Sequence, residues 1–231
     1  IGVRLVGSEM CIRDRNVSLQ MSDFKPENYP SFHRSDVKIL DQTTVFQGFF
    51  RIDSYKVRHK LFNGGWSGEV KRELFERGHA VIVLPYDVKN DSLVLIEQFR
   101  IGALQNPNGP WLMEAIAGMI ELGESVEQVA QRESEEEAGL KLTEFWPMLS
   151  YQSSPGGSTE RIYLVLARLQ QQVETGVYGL ASEQEDIKVH SLSRQTAMQL
   201  LQDGKIDNAA TVIALQWLAL NLDKVRQGWA E

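Results

Sequence analysis

The stretch GMIELGESVEQVAQRESEEEAGL, residues 118–140, encodes a helix with an unusual inner face. Ser125, followed three residues later by Gln128, is a capping-box start, and Gly139 suits the left-handed position just past a helix end. These signals predict a helix over about Val126–Ala138. What needs explaining is the dense set of glutamates in its second half, because they do not all fall on the side that faces water.

Carboxylates continue the apolar stripe of this helix. Val126, Val129 and Ala130 begin the stripe, and at about 100° per residue the next positions on it are Glu133 and Glu137. A glutamate run is ordinarily a solvated helix surface, but this i, i+4 pair of like charges is destabilising even in water and more so when buried. Protonation, neighbouring arginines or a bound cation would relieve it. Oxygen ligands of high charge density suit a hard ion such as Mg²⁺, which often bridges to a substrate phosphate.

The composition is that of a soluble globular protein of one or two domains. The chain has 231 residues, a formal net charge of -7 and 42% hydrophobic residues. An acidic balance gives no electrostatic support for nucleic acid or a membrane surface as a partner. An anionic substrate would therefore have to be met by local arginines or by a metal ion.

Neither a membrane span nor a disulfide framework is predicted. The most apolar run, residues 209–222, is interrupted by polar residues and too short to cross a bilayer, so it predicts a buried helix. Cys11 is the only cysteine, which fits a protein of the reducing cytoplasm. Residues 1–20 have no signal-peptide pattern and are expected to be a non-native or disordered leader, with Met21 as the expected start.

The remaining chain alternates strand-like and helix-like segments. Residues 43–73 predict a small antiparallel sheet with a turn at 63–65. Two helices are expected at the end, one after Ser193 and one over about 208–227. Such a mixture indicates an α+β or α/β/α layered domain preceded by a smaller β unit. Residues 112–117 lead into the acidic helix, and further strands are predicted at residues 79–87, 92–100, 145–153, 161–168 and 186–192.

The opening stretch resembles the Nudix box, whose pattern is a glycine, five residues, a glutamate, seven residues and then REUxEExGU, where U is bulky and aliphatic. Ser134 departs from the pattern, because it stands at a U position on the edge of the apolar stripe. Spaced matches that include four glutamates make this resemblance specific. The matching residues are Gly118, Glu124, Arg132, Glu133, Glu136, Glu137, Gly139 and Leu140.

Outside the box the chain looks like bacterial ADP-ribose pyrophosphatases, from about Thr44 to the C-terminal helix. Pro155 lies sixteen residues after Gly139, close to where that subfamily carries its marker proline. The resemblance implies the Nudix fold, an α+β or α/β/α sandwich with a small N-terminal antiparallel β unit. It also implies Mg²⁺-dependent hydrolysis of ADP-ribose to AMP and ribose 5-phosphate, with Mn²⁺ as a possible substitute for Mg²⁺.

The resemblance assigns metal-binding and catalytic residues. Glu133, Glu137 and Glu185 would be metal ligands together with the main-chain carbonyl of Ala117, and Glu136 would be a ligand or a neighbour of the ligands. Arg132 and Glu124 would brace the loop and the helix. Glu183 would be the general base. If residues 179–187 are extended, the alternation of side chains puts Glu183 and Glu185 on the same side. A general base that acts beside a metal ligand requires this arrangement.

The resemblance also assigns a pocket and an assembly. Residues 21–76 would form the dimerisation unit of a cytoplasmic homodimer that exchanges this unit, and residues 77–231 the hydrolase domain. Phe49 would stack on the adenine, and the arginines would meet phosphate or ribose oxygens. The expected substrate-binding residues are Phe49, Phe50, Arg72, Glu73, Arg77, Arg100, Met119, Ser154, Pro155, Gly156 and Glu160.

Simpler interpretations remain open from the sequence. Phe49 beside Phe50 could belong to the core of the small sheet, the arginines could be surface charges, and the 183–185 loop could be a solvated acidic loop. Two further functions also remain. One is hydrolysis of another nucleoside diphosphate sugar such as GDP-mannose, and the other is non-catalytic binding of ADP-ribose.

Overall fold

The computed structural model describes residues 29–229, so the expectations for residues 1–20 and Met21 lie outside the described part. The first described strands form a separate antiparallel sheet of order β1-β2-β3. The predicted small sheet is confirmed, although it begins before Thr43. Its strands are β1 (Val37–Gln47), β2 (Arg51–His59) and β3 (Val70–Glu76).

The second sheet has eight strands and forms the centre of the molecule. Its order is β10-β11-β5-β4-β9-β8, with β6 paired to β5 and β7 paired to β4. The segment that leads into the acidic helix contains two short strands, β6 and β7, interrupted at Ala115. The strands are β4 (Ala80–Asp87), β5 (Ser92–Phe99), β6 (Trp111–Glu114), β7 (Ile116–Met119), β8 (Phe145–Gln152), β9 (Arg161–Arg168), β10 (Val177–Tyr178) and β11 (Ile187–Ser193).

Helices cover both faces of this sheet. Helix α1 (Val126–Ala138) lies on one face, and α2 (Arg194–Gln202) and α3 (Ala209–Gly228) lie on the other. Burial on both sides explains why β4 and β5 are almost continuously apolar rather than alternating. The layers are those of the expected α/β/α sandwich.

The ends of α1 form as the sequence indicates. The Ser125 side chain accepts from the Gln128 amide, the Gln128 side chain accepts from the Ser125 amide, and Gly139 adopts φ 63°. Ser134 is fully buried rather than at the edge of the stripe, and its hydroxyl donates to the Ala130 carbonyl at 2.6 Å. The departure from the box pattern is therefore satisfied locally by a helix-internal hydrogen bond.

The apolar segment near the C-terminus is part of α3, which packs on the sheet through Ala214, Leu215 and Leu218. Among residues 29–229, no helix is both long and apolar enough to cross a membrane.

Candidate active site

Glu137 is the most deeply buried carboxylate of α1. Its side chain is 3% exposed, and Oε2 accepts a hydrogen bond of 2.9 Å from the amide of Ala117 on β7. Burial raises the pKa of Glu137 to about 8, the Ala117 hydrogen bond opposes this rise, and the negative charges of Glu133 and Glu185 add to it. The ionised form is therefore unfavourable unless a positive charge arrives.

Glu133 lies one turn earlier on the same face. Burial raises its pKa to about 7, and Arg132, whose Nη1 is 2.6 Å from Glu133 Oε1, opposes the rise. The carboxylate lies directly against Gly118 of β7, where a Cβ atom would overlap it. The Nudix-box glycine is thus required by the close approach of α1 and β7.

Arg132 braces the turn before α1. Its guanidinium donates to both oxygens of Glu124 at 3.0 and 3.1 Å and to the Met119 carbonyl at 3.3 Å, while Glu124 also accepts from the Glu121 amide. These bonds lower the pKa of Glu124. The same guanidinium lies 3.3 Å from Glu136, so Glu136 is tied to this brace.

The loop that carries the predicted base is folded rather than extended. A 3-10 turn spans Ala181–Glu183, and Gln184 takes a left-handed conformation with φ 57°. The loop is therefore not extended, and the side-chain alternation expected for an extended loop does not relate Glu183 to Glu185. Glu183 is exposed, whereas Glu185 accepts a hydrogen bond of 3.0 Å from the Leu180 amide.

The same loop brings Glu185 toward the α1 carboxylates. The Gly179 amide donates to the main-chain carbonyl of Glu136, and the charge of Glu185 raises the pKa of both Glu133 and Glu137. Three carboxylates from two separate segments thus share one region, and their mutual repulsion suits them to a divalent cation. In the described chain, no three acidic, histidine or cysteine side chains are gathered into a ready-made metal cluster. Glu137 and Glu185 each accept from a backbone amide instead, and Glu133 pairs with Arg132.

Arg100 joins this region from the end of β5. Its positive charge lowers the pKa of Glu137, and its Nε donates to Glu114 Oε2 at 2.8 Å. The sequence interpretation did not single out Glu114. The signal lies in the β5-β6 pairing, which places Glu114 opposite Ile96, and that register is not readable from the residues alone.

A second group of the predicted pocket residues lies where the small sheet meets the loop after β8. Arg77 Nε is 3.2 Å from the buried Glu160, and the Arg77 guanidinium lies 5.6 Å from the centre of the Phe50 ring. The Phe75 amide donates to the Gly157 carbonyl at 2.8 Å, which ties β3 to the loop. Ser154, Pro155 and Gly156 are exposed on that loop.

Other predicted pocket residues remain on the surface. Phe49 lies in the turn between β1 and β2 and is 88% exposed, so it is not core of the small sheet. Its ring centre lies 4.8 Å from that of Phe50. Arg72 and Glu73 are exposed on β3, and Met119 is partly exposed at the end of β7.

Comparison with known proteins places the chain among related sequences. The family profile described as NUDIX domain matches residues 76–215. The ADP-ribose pyrophosphatase of Escherichia coli (strain K12) is 51% identical over 207 residues, covering 89% of this chain and 99% of that protein. The ADP-ribose pyrophosphatase of Haemophilus influenzae is 48% identical over 201 residues, covering 86% and 93%.

Two further similarities are lower in sequence identity. A GDP-mannose pyrophosphatase of Shigella flexneri is 34% identical over 189 residues, covering 79% of this chain and 98% of that protein. A crystal structure described as ADP compounds hydrolase superimposes with a TM-score of 0.62 at 23% identity, covering 84% of this chain and 95% of the other. The layered fold, the box helix and these relatives establish that the chain belongs to the NUDIX family.

Proposed function

We propose that this protein hydrolyses the pyrophosphate of ADP-ribose to AMP and ribose 5-phosphate. The pair of buried Glu137 and partly buried Glu133 carries the proposal, because two carboxylates with raised pKa values on one helix face suit a divalent cation. Pyrophosphatases of ADP-ribose are the relatives at about half identity over most of the chain, whereas the GDP-mannose pyrophosphatase is more distant.

Divalent cations, for which we propose Mg²⁺ with Mn²⁺ as a substitute, supply positive charge that offsets the repulsion between an anionic pyrophosphate and its nucleophile. Glu133, Glu137 and Glu185 would hold them with the Ala117 carbonyl, and Glu136 would support this set. The donors fit, since all of them are oxygen ligands and the ionised forms of Glu133 and Glu137 need compensation at neutral pH.

The chain's own residues would orient the substrate and move a proton. Arg100 lies beside the carboxylates and would bind the diphosphate through its guanidinium. Glu183, exposed on the loop next to Glu185, would take the proton of the attacking water. Arg77, Glu160 and the loop Ser154–Gly156 would form the wall near the terminal ribose, with Met119 at its edge.

We further propose a cytoplasmic homodimer in which residues 21–76 exchange between subunits and complete the partner's pocket. The support is that several large apolar side chains on the small sheet are exposed in the single chain, as is common at protein–protein interfaces. Phe49, Arg72 and Glu73 would then serve the site of the other subunit, and Phe50 would back Phe49. The exposed apolar residues are Ile39, Leu40, Val45, Phe46 and Phe49.

Product analysis tests the activity. A protein that starts at Met21 is incubated with ADP-ribose or GDP-mannose, with Mg²⁺ or with EDTA, and the products are separated by chromatography. We expect Mg²⁺-dependent release of AMP from ADP-ribose, with a higher kcat/KM than for GDP-mannose. Preference for GDP-mannose would overturn the pocket assignment, and binding of ADP-ribose without cleavage would indicate a non-catalytic binding module.

Subunit complementation tests the exchanged dimer. Phe49→Ala and Glu137→Gln are expected to form impaired homodimers, because one loses the adenine contact and the other a metal ligand. A mixed dimer, isolated by two affinity tags, should regain one intact site built from both chains. The measured kcat/KM should rise well above that of either homodimer. If the mixed dimer is no more active than the homodimers, or if the protein is a monomer by sedimentation, the exchange is refuted.

A further inference from the structure

Glu114 holds the guanidinium of Arg100 by one edge. Arg100 Nε donates to Glu114 Oε2 at 2.8 Å, and the side chains are 43% and 13% exposed, respectively. Within residues 29–229, the two Nη groups of Arg100 make no further ion pair. The outer edge of the guanidinium, which carries the Nη groups, is therefore left for another anion.

The pairing of β5 with β6 explains how the two side chains meet. Ile96, Gln98 and Arg100 are every second residue of β5 and its extension, so they lie on one face of the sheet. This is the face that α1 covers, because Ile96 belongs to the core cluster on the α1 side. Glu114 lies opposite Ile96 in the ladder, so it projects from the same face. The Arg100 side chain must run back along β5 to reach it, which directs the guanidinium over the face that carries the α1 carboxylates.

Without Glu114, Arg100 would be free to turn toward the carboxylates of α1. Helix α1, which carries Glu133 and Glu137, covers the same face of the sheet from which Arg100 and Glu114 project. A half-exposed arginine has many rotamers, and a salt bridge to Glu137 would occupy a ligand that the cation needs. Glu114 on β6 would keep Arg100 away from the metal ligands. It would also reduce the rotamer freedom that Arg100 loses when the substrate binds.

We propose that Glu114 is a positioning residue of the substrate site: it fixes Arg100 by the Nε edge so that both Nη groups face the diphosphate. This inference rests on the proposed function, since it concerns how a nucleoside diphosphate is met. Glu114 itself would touch neither the substrate nor the metal ions. Its effect should pass entirely through Arg100.

A double-mutant cycle tests this pathway. The affinity for ADP-ribose is measured by calorimetry in EDTA, where no turnover occurs, for the wild type, Glu114→Ala, Arg100→Ala and the double variant. We expect Glu114→Ala to weaken binding about 10- to 100-fold, as loss of a supporting partner commonly does. The double variant should bind no more weakly than Arg100→Ala alone, because the two changes remove one interaction.

Two further variants separate positioning from folding. Glu114→Gln keeps an acceptor for Nε, so it should lose less affinity for ADP-ribose than Glu114→Ala, about 3- to 10-fold. In the Arg100→Ala background, Glu114→Gln should cause no further loss of affinity. Glu144→Ala is the matched control, because it breaks the Arg168 pair at 3.1 Å near the opposite end of the sheet and should leave affinity unchanged. If Glu114→Ala does not fold, the Glu114→Gln cycle decides.

Independent, multiplicative losses in the double variant, or unchanged affinity in both Glu114 variants, would overturn the positioning role. Those outcomes leave the proposed function intact as long as the wild type cleaves ADP-ribose. If the wild type binds no ADP-ribose, the proposed function fails instead. The same cycle is then run with GDP-mannose, whose diphosphate Arg100 would meet in the same way, and additivity there refutes the role of Glu114.

Discussion

Glu137→Gln is expected to reduce kcat/KM for ADP-ribose by about 10³-fold or more while raising the stability of the metal-free protein. The loss follows because a metal ligand is removed, and metal ions contribute several kcal/mol to stabilising such a transition state. The gain follows because the ionised carboxylate is unfavourable at its buried position, whereas a neutral amide keeps an acceptor for the Ala117 amide.

The stability of the metal-free protein should decrease as the pH rises. The folded-state pKa of Glu137 is raised from its ordinary value of 4.5 to about 8, so the folded protein holds a proton that the unfolded chain releases. Its stability contribution is complete below about pH 4.5 and is lost as pH rises toward about 8. In EDTA, the melting temperature of the wild type should therefore fall as the pH rises over this range. The melting temperature of Glu137→Gln should fall less steeply.

Thermal melts between pH 5 and about pH 8.5, with EDTA or Mg²⁺, check this expectation. Mg²⁺ should raise the melting temperature of the wild type most strongly at the alkaline end of the pH range. It should have little effect on the melting temperature of Glu137→Gln. Glu127→Gln is the matched control, since Glu127 lies exposed in the first turn of α1 and should change neither activity nor pH dependence. A destabilised Glu137→Gln protein in EDTA would contradict the account of this carboxylate.

Glu183→Gln is expected to lower kcat by about 10²- to 10⁴-fold, the usual contribution of a general base. Because Glu183 is exposed on a loop and separate from the α1 ligands, substrate affinity and metal affinity should stay close to wild type. The effect would then appear in kcat rather than in KM. Steady-state kinetics as a function of pH, combined with ADP-ribose calorimetry, measures both quantities.

Glu174→Gln serves as the control for this variant, because Glu174 is another exposed glutamate ahead of the same loop. Retention of wild-type kcat in Glu183→Gln would move the base to another group. A parallel loss of metal affinity would instead make Glu183 a metal ligand.

Local signals predicted α1 because its determinants lie within the segment. The capping box of Ser125, the glycine at 139 and the 3.6-residue spacing depend on neighbours in sequence, and all three are found. The inward position of Glu133 and Glu137 followed from the same spacing. That Ser134 would be buried did not follow, because its burial depends on the depth at which α1 packs on the sheet.

Long-range register explains most of what the sequence left open. The pairing of Glu114 with Arg100 depends on where β6 stops against β5, and the position of Phe49 depends on the β1-β2 turn. The fold of the 179–187 loop depends on bonds such as Gly179 to Glu136, across the gap between loop and helix. Such contacts are set by tertiary packing rather than by local propensity.

Counting bound Mn²⁺ tests most directly whether the carboxylates hold the catalytic cations. Free Mn²⁺ is measured by electron paramagnetic resonance during titration of the wild type and of Glu137→Gln, with a non-hydrolysable methylene analogue of ADP-ribose present. The account predicts two or three bound ions for the wild type and the loss of at least one for the variant. Equal stoichiometry and affinity in the two proteins would contradict the assignment of Glu137 as a metal ligand.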